Sequence, residues 1–258
     1  MVRGGRRWRA GAHRRLLLRR ARDLGRHRAH ARPTALADRR REHRRHDRGG
    51  RAVTLLLARH AQSAANASGV MTGWLDVPLT EAGRAQAAAL AERLAGEPVV
   101  AVYASPLGRA LATAQPTAAR LGLAVTTVEG LREAGLGEAQ GLRWPEVRDR
   151  WTTGHGAIWA DAIPGAEPGA AVRARVAAVL EELLERHRDE LVLCVAHAGT
   201  ITHALQHVLG LPMDRGPRLP IYHAALTVID GRGREPVLVA LNDRCHLEAL
   251  EQPGGRAG

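Results

Sequence analysis

The feature that most constrains the fold is an alternation of short apolar runs with longer amphipathic stretches. The runs 53–58, 99–104 and 191–196 have the length and residue types of strands that are buried on both faces. Each run leads through small or polar residues into a pattern typical of a helix. Such alternation favours a mainly parallel sheet with helices on both faces. We therefore predict an α/β fold, a three-layer α/β/α sandwich with a mainly parallel central sheet.

Local signals also predict where individual elements begin and end. Thr80 is a typical helix-capping residue, whereas proline favours the first turn of a helix and glycine its end. The predicted elements are a helix from Thr80 to about Leu94, a helix opened by Pro106 and ended by Gly122, helices over 168–187 and 200–209, a short strand over 124–128, and a late hairpin of strands 225–229 and 236–241.

Histidine and arginine follow the three apolar runs. Arg59 and His60 come at the end of the first run, Arg109 lies on the helix after the second, and His197 directly follows the third. Because ligands bind at the carboxyl ends of the strands in open α/β sheets, we expect these side chains to converge. Guanidinium groups match the geometry of phosphate oxygens. The sequence therefore predicts a site for a dianionic phosphoryl group.

A metal centre fits this set of residues poorly. Guanidinium is not a usual metal ligand, and no cluster of carboxylates accompanies His60 and His197. His203 and His207 are spaced four apart and could bind a metal, but a polar helix face is the favoured interpretation. We predict neither a metal nor another cofactor.

Six blocks of the chain, in order, match the pattern of one known family. They are Arg59-His60 with Asn66, then 72–83, 105–114, 131–141, 197–199 and 242–247. Over roughly 53–247 the chain resembles the histidine phosphatase superfamily, which includes the cofactor-dependent phosphoglycerate mutases. The resemblance implies the same three-layer fold and phosphoryl chemistry.

The resemblance also implies the roles of the main site residues. His60 would be the nucleophile, forming a phosphohistidine that water then hydrolyses. Its attacking nitrogen must be neutral, and its other nitrogen must be held by a hydrogen bond, commonly to a backbone carbonyl. Arg59, Arg109 and His197 would bind the phosphoryl oxygens. Glu133 would protonate the leaving oxygen, the alternative being a solvated glutamate in a glycine-rich loop.

Four further residues are implied to bind the substrate. Asn66 falls where the family places an asparagine that binds phosphate, and its amide N–H can donate without adding charge. Thr72 and Gly73 belong to the next block. Arg143 could meet a second anionic group, although a solvated arginine is an equal alternative.

Two residues depart from the family pattern beside the nucleophile. Ala61 replaces a glycine, so the backbone there must have negative φ. Gln62 stands where many members have glutamate, and it cannot donate a proton as an acid does. Glu133 is therefore the favoured acid, ahead of Glu138.

Hydrolysis is favoured over mutase activity. The family's mutases carry a lysine after the Gln-Gly-Leu element, but Arg143 stands here and the chain contains no lysine. The segment 134–196 is also shorter than expected for a mutase. We predict a metal-independent phosphomonoester hydrolase, with mutase-type transfer and a non-catalytic protein that binds phospho-ligands as alternatives.

Charge divides the chain into two parts. Residues 1–50 hold 18 arginines against four acids, whereas the other 208 residues hold 20 arginines against 22 acids. We expect a disordered arginine-rich arm at 1–51, a phosphatase domain at 52–250 and a disordered tail at 251–258. The arm could bind nucleic acid or anionic lipid, or be a targeting peptide, although its apolar run is short for one. An upstream translation artefact, with the native start near Val53, is favoured.

Cysteine usage and hydropathy suggest a compartment and partners. Cys194 and Cys245 do not form a disulfide framework. No apolar run approaches 18 residues, so no membrane span is expected. We expect a cytoplasmic protein with a small-molecule phosphomonoester substrate and, apart from the arm, no nucleic-acid partner. The residues leave open a monomer or a homodimer.

Overall fold

One mixed sheet organises the structure, a computed structural model that describes residues 54–151, 162–212, 219–231 and 235–250. The strands are β1 (Thr54–Arg59), β2 (Val99–Ala104), β3 (Val125–Thr127), β4 (Leu191–Ala196), β5 (Leu226–Asp230) and β6 (Val237–Asp243). Within the described residues the strand order in the sheet is β3-β2-β4-β1-β5-β6. The first four strands in this order pair in parallel, β5 runs antiparallel to β1, and β6 runs antiparallel to β5.

Helices cover both faces of the sheet. The described helices are α1 (Ala64–Ser68), α2 (Glu81–Leu94), α3 (Gly108–Leu121), α4 (Trp144–Trp151), α5 (Gly169–Arg186) and α6 (Ala198–Val208). Along β1, Leu55 and Leu57 pack into a core with α5 and α6, whereas Leu56 and Ala58 pack on the other face with α2 and α3. Successive strand residues point to opposite faces, so an all-apolar strand is buried on both. The predicted three-layer α/β fold is confirmed.

Most predicted helix boundaries agree with the structure, but the predicted starts of α3 and α6 do not. Thr80 caps α2 by accepting a hydrogen bond from Gly83 N, and Gly122 ends α3 in the left-handed conformation, with φ of 68°. Pro106 does not open α3, which begins at Gly108. The reason is local, because Ser105 Oγ accepts from Leu107 N and holds the preceding residues in a turn.

The start of α6 also differs from the prediction. It begins at Ala198, two residues before the predicted start, with His197 at the N-cap position. The antiparallel direction of β5 brings its first residues to the edge where β1, β2 and β4 end. The candidate site lies at this edge. The predicted arm 1–51 and tail 251–258 lie outside the described residues.

Candidate active site

His60 follows β1 and is held in one tautomer. Its ring is buried, and Nδ1 lies 2.8 Å from Ala61 O. A carbonyl can only accept, so Nδ1 carries the proton and Nε2 keeps its lone pair when the ring is neutral. This is the arrangement that a nucleophilic imidazole requires.

The surroundings of His60 keep the ring neutral. Burial lowers its pKa well below the usual value, and the nearby His197, Arg59 and Arg109 lower it further. The hydrogen bond to Ala61 acts in the opposite direction but is a smaller effect. At neutral pH the lone pair on Nε2 is therefore free to attack.

His197 lies next to the nucleophile. The two ring centroids are 5.1 Å apart, with the ring planes inclined at 56°. Ser105, which follows β2, orients the second ring through a hydrogen bond of 2.8 Å between its Oγ and His197 Nε2. Burial, then Arg109 and Arg59, lower the pKa of His197 well below its usual value. Two neutral imidazoles therefore lie side by side where β1 and β4 end.

The two predicted arginines are anchored to backbone carbonyls. Arg109, only 1% exposed, donates from Nη1 to Leu75 O at 2.8 Å and from Nη2 to Gly73 O at 2.7 Å. Arg59 donates from Nη1 to Ile221 O at 2.6 Å. Burial lowers the pKa of Arg59 to about 10, so both guanidiniums remain charged at neutral pH. Their orientation is therefore set before any ligand binds.

Several buried nitrogens in this cluster have no hydrogen-bond partner within the described residues. They are Arg59 Nε, Arg109 Nε and His197 Nδ1. Unpaired buried polar groups are costly, and charged ones more so. A phosphoryl dianion has only acceptor oxygens and would complement this set.

Glu133 faces the two arginines from the loop after β3. Its carboxylate accepts from Ala134 N at 2.9 Å and from Gly199 N, at the start of α6, at 3.2 Å. Its negative charge partly offsets the lowering of the pKa of Arg59 and Arg109 by burial. The carboxylate therefore interacts electrostatically with both guanidiniums.

Arg175 on α5 holds the loop that carries Glu133. It pairs with both oxygens of Glu167 at 2.8 Å and donates to the carbonyls of Gly130, Arg132 and Glu133 at 2.9, 2.7 and 3.1 Å. Trp74 Nε1 also donates to Glu133 O, at 2.7 Å. No sequence pattern indicates this role of Arg175, because the carbonyls that it binds lie more than 40 residues away along the chain.

Of the predicted substrate-binding residues, Asn66 has the clearest geometry. Its Oδ1 accepts from Ser63 N at 3.1 Å and from Ser63 Oγ at 2.8 Å. These two bonds do not involve Nδ2, which can therefore donate to a ligand. Thr72 is buried, and Gly73 has φ of 49°. Arg143 is exposed, and its guanidinium makes no ion pair with the described residues.

The two residues that depart from the family pattern have separate structural roles. Ala61 is fully buried, is not among the positive-φ residues of the described chain, and donates its N–H to Thr113 Oγ1 at 2.9 Å. The expectation of negative φ is thus met. Gln62 Oε1 accepts from Thr80 Oγ1 at 2.8 Å, so its side chain ties the site loop to the start of α2.

A comparison with family models identifies the chain. Residues 55–244 match the model of the histidine phosphatase superfamily, branch 1. The chain belongs to the histidine phosphatase superfamily. The resemblance inferred from the sequence is confirmed.

Members of the superfamily that are similar to this chain include phosphatases and mutases. Phosphoserine phosphatase 1 of Hydrogenobacter thermophilus is 32% identical over 76% of this chain and 94% of its own length. A 2,3-bisphosphoglycerate-dependent phosphoglycerate mutase of Brucella melitensis is 34% identical over 63% of this chain and 84% of its own. The solved structure of a mycobacterial glucosyl-3-phosphoglycerate phosphatase superposes with a TM-score of 0.67 at 30% identity, covering 75% of this chain and 100% of that one.

A third histidine, His223, which the sequence patterns did not indicate, lies beside His60. The ring centroid of His223 lies 5.9 Å from that of His60. The available signal was its position just before β5, but the antiparallel pairing of β5 with β1 was needed to place it.

The described residues were also predicted to lack a metal centre and a membrane span. Within the described residues, no group of three or more His, Cys, Asp and Glu side chains is arranged to hold a metal ion. His207 instead lies 3.2 Å from Glu181. None of the helices in the part of the chain that the structure describes could cross a bilayer.

Proposed function

We propose that this protein is a metal-independent phosphomonoester hydrolase that acts through a phosphohistidine on His60. The observation that carries the proposal is the bond from His60 Nδ1 to Ala61 O, which leaves Nε2 as the nucleophilic atom beside two guanidiniums. Phosphoryl transfer depends mainly on positioning and charge stabilisation, which this arrangement supplies.

In the first step His60 Nε2 attacks phosphorus and the bond from phosphorus to the ester oxygen breaks. Protonated Glu133 gives its proton to the departing oxygen, so the products are an alcohol, a carboxylate and phosphohistidine. The ring becomes cationic, and the Ala61 carbonyl that accepts from Nδ1 stabilises it. Arg59 and Arg109 hold the phosphoryl oxygens as charge redistributes.

In the second step water attacks the phosphohistidine. The Glu133 carboxylate takes a proton from the water, the phosphorus–nitrogen bond breaks, and inorganic phosphate is released. His60 returns to its neutral form and Glu133 to its acid form, so the cycle is balanced.

Hydrolysis fits the described residues better than a mutase reaction does. A mutase must hold a bisphosphate and therefore needs a second basic cluster. Arg143 is the residue predicted to bind a second anionic group. Its side chain is exposed, and within the described residues no ion pair holds it toward the cluster. Small phosphorylated metabolites are the proposed substrates, in line with relatives named for phosphoserine and glucosyl-3-phosphoglycerate.

The domain limits and the compartment stay predictions. The family match at 55–244 falls within the phosphatase domain that we propose for 52–250. A cytoplasmic location is proposed from cysteine usage. Mass spectrometry of the native protein tests the start near Val53, which a peptide from residues 9–40 would contradict.

The function is tested by phosphate release from the purified protein in the presence of a chelator. We expect inorganic phosphate from monoesters such as phosphoserine, and no release by His60→Ala. Interconversion of 2- and 3-phosphoglycerate with negligible hydrolysis would reverse the assignment to a mutase. Phosphate binding without turnover on any monoester would indicate the non-catalytic alternative.

A further inference from the structure

A third imidazole lies against the ring of the nucleophile. The centroid of His223 is 5.9 Å from that of His60, with ring planes inclined at 55°, compared with 5.1 Å for His197. Because β5 is antiparallel to β1, the residues just before Leu226 lie where β1 ends. The mechanism derived above gives His223 no role.

The segment that carries His223 is fixed by side chains from distant parts of the chain. Arg59 Nη1 donates to Ile221 O at 2.6 Å, Tyr222 N donates to Asn242 Oδ1 at 3.0 Å, and His246 Nε2 donates to Ala224 O at 2.9 Å. The guanidinium of Arg244 lies 4.5 Å from the centroid of the Tyr222 ring. The backbone on both sides of His223 is therefore held in place in the absence of ligand.

The backbone immediately after His223 adopts an unusual conformation. Ala224 has φ of 52°, in the left-handed region that side chains other than glycine rarely enter. Its N–H donates to Arg59 O at 3.0 Å, which fixes the turn. Such conformations persist where the surrounding structure determines them, and they cluster at functional sites.

The His223 ring is suited to donate one hydrogen bond without adding charge. Its Nε2 is buried and has no hydrogen-bond partner within the described residues. Burial, then Arg59 and Arg244, lower its pKa to about 4, so the ring is neutral at pH 7. A buried polar nitrogen without a partner is costly, and in the tautomer with the proton on Nε2 the ring would donate to a bound phosphoryl group.

We propose that His223 is a substrate-contacting residue, whose Nε2 donates a hydrogen bond to the phosphoryl group bound at His60. This inference rests on the proposed function, since it deepens the account of the same site. The alternative is packing, in which His223 only fills space beside His60. That alternative needs the bulk of the ring but not its nitrogen.

Two substitutions separate these roles in the full-length protein. His223→Leu keeps apolar bulk without a donor, whereas His223→Gln places an amide N–H near the position of Nε2. The affinity for inorganic phosphate is measured by calorimetry, and thermal unfolding checks the fold. We expect His223→Leu to weaken phosphate binding about tenfold or more, and His223→Gln to stay within about threefold of the wild type.

His207→Gln is the matched control, because His207 of α6 pairs with Glu181 of α5. This variant should bind phosphate as the wild type does. The inference is overturned if His223→Leu binds phosphate normally, or if His223→Gln loses as much affinity as His223→Leu. Turnover of phosphomonoesters by the wild type tests the function separately. Hydrolysis with normal phosphate binding by His223→Leu would refute only the inference, whereas weakened binding by that variant without wild-type turnover would refute only the function.

Discussion

The carboxylate of Glu133 lies against the backbone of Gly199, where a side chain would leave it no room. Glu133 Oε2 accepts from Gly199 N at 3.2 Å, and a Cβ added to Gly199 would clash with Oε1. The first residues of α6 therefore position the proposed acid. A side chain at 199 would displace the carboxylate from this position.

Gly199→Ala should consequently impair proton donation. We expect kcat/KM for alkyl phosphates to fall toward that of Glu133→Gln, by about 10²-fold or more. The loss should be smaller for p-nitrophenyl phosphate, whose leaving group departs without protonation. Gly96→Ala is the control, because its added Cβ would meet nothing within 4 Å. Equal activity of Gly199→Ala and wild type on both esters would rule out this positioning.

Arg175 should act as a positioning residue for the acid loop. Arg175→Met removes the pair with Glu167 and three hydrogen bonds to loop carbonyls, so we expect a loss of about 3 kcal/mol in the free energy of unfolding. Under folded conditions kcat for alkyl phosphates should fall more than phosphate affinity does. Arg120→Met breaks an exposed pair with Glu92 and should cost about 0.5 kcal/mol. A stability loss no larger than that control would contradict the role of Arg175.

Acid pH should destabilise the fold through the buried histidines. The pKa values of His60 and His197 are lowered in the folded state, so below about pH 6.5 the unfolded chain takes up protons that the folded chain does not. Each histidine lowers the free energy of unfolding by up to about 1.4 kcal/mol per pH unit as the pH falls toward the lowered pKa. Above about pH 7 neither histidine makes the free energy of unfolding depend on pH. Urea unfolding at pH 5.5, 6.5 and 7.5 measures this dependence. It should be shallower in His60→Gln, and an unchanged slope would contradict the burial of a neutral ring.

Asn66→Asp should weaken ligand binding without loosening α1. The aspartate keeps the acceptor that bonds to Ser63, but it replaces the Nδ2 donor with negative charge. We expect affinity for inorganic phosphate to fall about tenfold or more, with little change in thermal stability. Ser68→Ala on the same short helix removes an exposed hydroxyl bond and should leave affinity unchanged. Normal phosphate binding by Asn66→Asp would exclude Asn66 from the site.

The parts of the fold that could be predicted are those encoded by local pattern. The apolar runs before His60 and His197 are long enough to identify as strands, and parallel pairing brings their carboxyl ends together. The cap at Thr80 and the glycine stop at Gly122 are likewise local signals. Where a nearby side chain changed the backbone, as Ser105 does before α3, the predicted boundary was wrong.

The parts that could not be predicted depend on contacts between distant segments. His223 reaches the site only because β5 pairs antiparallel with β1, and no local pattern states that direction. Arg175 binds carbonyls more than 40 residues away, which side-chain periodicity does not encode. Arg143 was inferred from a neighbouring motif alone, and the structure leaves its side chain exposed.

Trapping the covalent intermediate would identify the nucleophile. The protein is mixed with a labelled phosphomonoester, quenched within milliseconds to seconds, and the phosphorylated peptide is identified by mass spectrometry. We expect an acid-labile phosphate on His60, absent from His60→Ala and longer-lived in Glu133→Gln. Hydrolysis with no phosphoenzyme at His60, or with an acid-stable phosphate on another residue, would contradict the proposed nucleophile.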